Sequence, residues 1–295
     1  MTRPLALLSR LAGMGYAAME AGGCNEFRLL DALIPRGGYV RTNALAYGER
    51  PRQKLDVYVP KGVAAKAANS PAGMVVFFYG GDWRTGERAD YRFVAQALTS
   101  KGFVAVMADY RVYPEVTFPA FVEDGALAVR WARDNAARFG GDPGRIYLLG
   151  HSAGGHIAAL LTLAPHYLAD VGLDRSAIRA TAALAAPLDF VPRPKDLPVF
   201  GMPGPELVVE PRMQPIHFVD GRAPPMLLIT GTDDQTVDPG NTTRLAAAIA
   251  AAGGEACVVR HRGLGHVGAV SSLAWPFRWR APILPQTSAF FERHR

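Results

Sequence analysis

Between Lys54 and Arg293, short apolar runs bounded by turn residues alternate with longer stretches of helical period. Few architectures accept that order, because a short crossover helix returns the chain to lay the next strand parallel to the last. Strands are predicted at Lys54–Val59, Met74–Tyr79, Phe103–Ala108, Arg145–Leu149, Thr181–Ala185, Met226–Thr230 and Cys257–Arg260. Several are continuous Val, Leu and Phe, as expected where both faces of a strand are buried. Helices are predicted at Ala89–Ser100, Phe118–Phe139, Gly154–Leu163, Asn241–Ala252 and Ile283–Arg293. The fold class that follows is α/β, a mostly parallel central sheet with helices on both faces.

With 295 residues, 49% hydrophobic and 20% charged, the chain can bury a large core, and one domain is expected over about residues 41–295. The formal charge of +6 is scattered as single Arg residues rather than a basic stripe with interleaved aromatics, which speaks against a nucleic-acid partner. Cys24 and Cys257 stand alone, so neither a zinc site nor a disulfide framework is supported. No apolar run reaches membrane-spanning length, so no integral membrane segment is expected. Residues 1–40 form an N-terminal segment with two readings. Arg3 and Arg10, the apolar stretch from Leu11 to Met19 and then Ala21-Gly22-Gly23-Cys24 follow the order of a lipoprotein signal that would anchor the chain through Cys24. Glu20 and Ala21 depart from that pattern, and the other reading is a packed amphipathic helix on a cytoplasmic protein. The Pro-rich segment of about residues 187–225 has no sustained period and is expected to form a small cap over the site.

Gly150-His151-Ser152-Ala153-Gly154 fits GxSxG where a predicted strand turns into a predicted helix. A nucleophile at the apex of so sharp a turn needs small neighbours, and the helix that follows directs its amides at developing negative charge. A Ser hydroxyl also needs a base and a carboxylate to orient that base, and in this architecture they follow in the order acid, then His. Asp233 and Asp234 lie in the loop after the strand at Met226, and His266 lies in the Gly-flanked loop Gly263-Leu264-Gly265-His266. The other six His residues lack that position; His151 and His156 flank the Ser and read as packing or hydrogen-bonding groups. Residue order alone leaves Asp233 and Asp234 open. An oxyanion needs two backbone donors, each worth about a hundredfold to a thousandfold in rate. Ala153 supplies one, and Gly80 or Gly81, after the strand at Met74, supplies the other.

Tyr79-Gly80-Gly81-Asp82-Trp83, Asp109-Tyr110-Arg111, Gly150 to Gly155, and Gly231 to Val237 with His266 together resemble the carboxylesterases of the α/β-hydrolase fold related to hormone-sensitive lipase and to feruloyl-esterase-like enzymes. The resemblance covers most of the chain from about residue 50. It implies a serine esterase that needs no metal or organic cofactor and acts on a small-molecule ester, by analogy a short-chain or aryl ester. It selects Asp234 as the acid, three residues beyond Gly231, and assigns Asp109 and Arg111 structural roles. It also places Tyr79, Asp82, Trp83 and His151 among the substrate-binding residues. Tyr79 stands where the family carries His. Two rivals share the scaffold: an arylformamidase or other amidase, and a non-catalytic binding protein. Acyl length, alcohol and oligomeric state are not written in the sequence.

Overall fold

The computed structural model describes residues 34–63, 70–202 and 211–295. The lipoprotein-like stretch ending at Cys24 lies outside the described residues. Eight strands form one sheet: β1 (Tyr39–Ala46), β2 (Lys54–Pro60), β3 (Ala72–Phe78), β4 (Val104–Ala108), β5 (Gly141–His151), β6 (Ala180–Leu184), β7 (Met226–Gly231) and β8 (Ala256–His261). Their order is β1-β2-β4-β3-β5-β6-β7-β8. β2 runs antiparallel to both β1 and β4, and every pair from β4 onward is parallel. This is the α/β-hydrolase fold, and the strand exchange at β3 and β4 brings the ends of β3 and β5 side by side, with Phe78 opposite Gly150.

The helices are α1 (Arg92–Thr99), α2 (Ala120–Asn135), α3 (Ala153–Leu163), α4 (Pro165–Ala169), α5 (Gly240–Ala251), α6 (His266–Ser271) and α7 (Ile283–Arg293). All residues of α3 are buried, which explains a composition apolar on every side rather than on one stripe. α2 ends through a short 3-10 turn at Gly140, whose φ of 72° is left-handed, so the chain reverses there and enters β5.

β1 carries no predictive signal in the sequence. It is an edge strand with mostly exposed side chains, and a register shift between Thr42 and Leu45 breaks its alternation. Asp56 on β2 closes that irregularity by accepting the Ala44 N–H at 2.8 Å. α4 and α6 are likewise too short to show a period. Asp109 and Arg111 occupy structural positions: Arg111 grips buried Asp124 through two nitrogens, and Asp109 pairs with Arg88.

The described part of segment 187–225 crosses the C-terminal ends of the strands as three 3-10 turns, at Pro194–Phe200, Pro211–Met213 and Pro215–Phe218. It is fastened near its start and again in its second half. Asn241 of α5 accepts the N–H groups of Leu188 and Asp189 at 3.0 and 2.8 Å, and His156 of α3 reaches the Met213 carbonyl at 2.7 Å. No helix among the described residues is long and apolar enough to cross a membrane.

Candidate active site

Ser152 sits between β5 and α3 with φ 54° and ψ −122°, a left-handed conformation that costs a non-Gly residue on the order of 1–3 kcal/mol. The turn closes only because its flanks lack side chains. A Cβ on Gly150 would stand 2.3 Å from the Gly154 carbonyl oxygen, and one on Gly154 would stand 2.1 Å from that of Phe78. The Ser152 N–H donates to Leu184 of β6 at 2.9 Å, which fixes the apex.

Two loops from the far side of the sheet meet this apex. The loop after β8 brings His266, the first residue of α6, so that its Nε2 lies 2.9 Å from Ser152 Oγ. The loop after β7 brings Asp234, whose Oδ2 lies 2.9 Å from His266 Nδ1. The other oxygen of Asp234 accepts the N–H groups of Thr236 and Val237, each at 2.9 Å. Burial by itself would raise the Asp234 carboxyl; the hydrogen bond and charge of His266, with the two amides, outweigh it and hold the group below the ordinary carboxylate range. Asp233 is exposed and accepts only the neighbouring Thr232 hydroxyl among the described side chains. Hydrogen bonding therefore connects Ser152, His266 and Asp234 in one line and leaves Asp233 outside it.

Gly80 and Gly81 follow β3 beside Ser152, and the Gly81 carbonyl turns inward to accept the N–H groups of Arg84 and Thr85 at 2.9 and 3.0 Å. Asp82 and Trp83 both have positive φ, 52° and 57°, so the whole loop is held in an uncommon conformation. Ala153 opens α3 on the opposite side of Ser152.

A pocket of about 510 Å³ opens over Ser152. Asp82 and Trp83 line it, whereas Tyr79 and His151 do not. Tyr79 is fully buried below the Gly80-Gly81 turn, its hydroxyl donating to Asp109 Oδ1 at 3.1 Å and accepting from Arg52 at 2.9 Å. His151 is buried behind the His266 loop. These two positions correct the expectation of direct substrate contact, because a residue at the end of a central strand is enclosed by the layers on either side. The cap supplies Phe190, Arg193, Gln214 and His217 as walls. Asn241 and Arg244 of α5 complete the lining, and no motif marks them in the sequence. Arg244 pairs there with Asp189 and Asp238, so the rim carries charge while Trp83 and Phe190 give it an aromatic flank, ring centroids 6.1 Å apart.

Residues 55–196 match the family model described as BD-FAE. Thermogutta terrifontis esterase 2, solved in its apo form, superposes with a TM-score of 0.70 at 26% identity over 88% of this chain and 96% of that one. The chain has the α/β-hydrolase fold and is similar to esterases that share it. A carbohydrate esterase from gut microbiota shares the fold at 21% identity, with a TM-score of 0.75 over 88% of this chain and 98% of that one. Among curated proteins, a probable isoprenylcysteine alpha-carbonyl methylesterase of Arabidopsis thaliana is 30% identical over 89% of this chain, and esterase LipC of Mycobacterium tuberculosis is 34% identical over 66% of it. The chain spans 60% and 52% of the length of these two relatives, respectively.

Proposed function

We propose that the protein hydrolyses small carboxylic esters through an acyl-enzyme on Ser152. The observation that carries this reading is the unbroken hydrogen-bonded line from Asp234 through His266 to Ser152, with both spacings at 2.9 Å. A hydroxyl becomes a useful nucleophile when a neutral imidazole can take its proton as the new bond forms. His266 Nε2 accepts that proton, and Asp234 stabilises the imidazolium and fixes its orientation. The ester carbonyl becomes a tetrahedral oxyanion, held by the Ala153 amide at the start of α3 and by an amide of the Gly80-Gly81 turn. His266 returns the proton to the departing alcohol. Water, deprotonated by the same imidazole, then attacks the acyl-Ser152 ester and releases the acid.

The pocket volume and its Trp83–Phe190 flank favour short acyl or aryl groups. Solved forms of Thermogutta esterase 2 bear butyrate or propionate, which supports the same acyl size here. The test is a panel of aryl esters with graded acyl chains, run beside an N-formyl aromatic amine, for wild type and Ser152→Ala. Short esters are expected to turn over, and the variant to remain folded with kcat lower by about a millionfold. Activity of Ser152→Ala within tenfold of wild type would overturn the assignment, and preferential turnover of the formamide would move the reading to an amidase.

A further inference from the structure

His151 precedes the nucleophile, yet its ring turns away from the pocket and toward the backbone of the His266 loop. Its Nε2 lies 3.2 Å from the His266 carbonyl oxygen, and the two imidazole rings pack with centroids 4.9 Å apart at 43°. A carbonyl only accepts, so Nε2 carries the hydrogen and the neutral ring leaves Nδ1 bare. Nδ1 is buried without a partner and faces Gly80, where an added Cβ would stand 2.9 Å from it. One ring thus fills the space between the Gly80-Gly81 turn and the His266 loop, and its single donor ties the end of β5 to residue 266.

We propose that His151 is a positioning residue, whose Nε2–H clamps the His266 carbonyl and so holds the His266 imidazole in line with Ser152 Oγ. The inference rests on the serine-esterase reading above. His266 opens a six-residue helix at the tip of a loop, reached 114 positions after Ser152, and the backbone bond that ties this loop to the one after β7, from the Asp233 N–H to the Leu264 carbonyl at 3.1 Å, lies two residues before it. An ångström of misplacement at a reacting group costs about a hundredfold in rate. A clamp on the backbone carbonyl acts where neither Asp234 nor Ser152 reaches. The clamp must also stay neutral, because His266 becomes a cation during each half-reaction. Burial, reinforced by the nearby His266, pushes the His151 pKa down to about 3, so the ring adds no competing charge at working pH.

The decisive comparison is His151→Gln against His151→Met in the full chain. The two side chains have nearly the same length and volume, but only Gln keeps an N–H donor at the reach of Nε2. His151→Met is expected to lower kcat by about 10- to 100-fold with KM within about threefold, and His151→Gln to restore kcat to within about fivefold of wild type. Melting temperatures taken alongside show whether each variant is folded, and His151→Phe, which keeps the ring but no donor, replaces the Met variant if that one is not. Equal kcat values for the donor and non-donor variants, or a drop confined to KM, would overturn the clamp. A wild-type protein that cleaves no ester and takes up no fluorophosphonate on Ser152 would instead defeat the esterase reading.

Discussion

Asp82, the residue after the Gly80-Gly81 turn, accepts a hydrogen bond from Lys195 Nζ at 2.7 Å, while Arg193 approaches its other oxygen at 3.1 Å. These contacts join the loop beside Ser152 to the cap across more than a hundred positions of sequence. Burial raises the Asp82 carboxyl, but the two cations prevail and keep it ionised below the ordinary carboxylate range. Both cations are substantially exposed, so the pairs contribute at most about 1 kcal/mol of stability each. Their effect is expected on the pocket instead. Asp82→Asn should raise KM about threefold or more with little change in melting temperature, and the wild-type KM should climb with added salt while that of the variant stays flat. Parallel salt dependence in the two proteins would show that the Asp82 ion pairs do not shape the pocket.

The two adjacent carboxylates after β7 make opposite predictions. Asp234→Asn should lower kcat by about ten-thousandfold, because an amide neither stabilises the imidazolium nor enforces the required tautomer. Asp233→Asn, at an exposed position, should stay within about twofold of wild type. Steady-state kinetics on one good ester settles the ranking, and the reverse order would transfer the role to Asp233.

Tyr79→Phe removes a hydroxyl placed between Arg52 and Asp109, leaving buried Asp109 and half-buried Arg52 each with one partner fewer. A loss of about 1–3 kcal/mol in stability follows from the unmet bonds. The ring still stacks on Tyr110 at 4.6 Å, so the turn keeps its support but loses rigidity. kcat is expected to fall about three- to tenfold at constant KM, since the side chain does not line the pocket. Urea denaturation and initial rates measured together decide the matter: an unchanged kcat makes Tyr79 a packing residue.

His151 and His156 give the fold an acid dependence. Burial is the leading cause that lowers their pKa values from 6.5 to about 3 and about 4, respectively. Below pH 6.5 the unfolded chain takes up protons on these rings and the native state does not, so stability falls as pH falls until the native values are reached. Between pH 6.5 and pH 5 the two together should cost on the order of 3 kcal/mol. His156→Gln, which can still donate to Met213, should remove about half of that slope. Identical slopes for variant and wild type in urea titrations would show that His156 titrates normally.

Much of this protein is decided by local sequence. The seven predicted strands and five predicted helices all appear with shifts of a few residues at their ends, because continuous Val, Leu and Phe runs between Gly and Pro punctuation leave no other way to bury them. The turn at Ser152 is local in part, since Gly150 is required by contact with Gly154 across its own turn, whereas Gly154 is required by the backbone of Phe78 at the end of the neighbouring β3. What the sequence leaves open depends on distance through space. The 2.9 Å spacings from Ser152 to His266 and from His266 to Asp234 are a property of strand order, although position and residue order already single out His266 and the family resemblance Asp234. β1 has no apolar signature because an edge strand buries little. Tyr79 and His151 turn from expected substrate contacts into buried supports, and Asn241 and Arg244 enter the pocket, because the direction a side chain faces is set by the layers packed around it rather than by its neighbours in the chain.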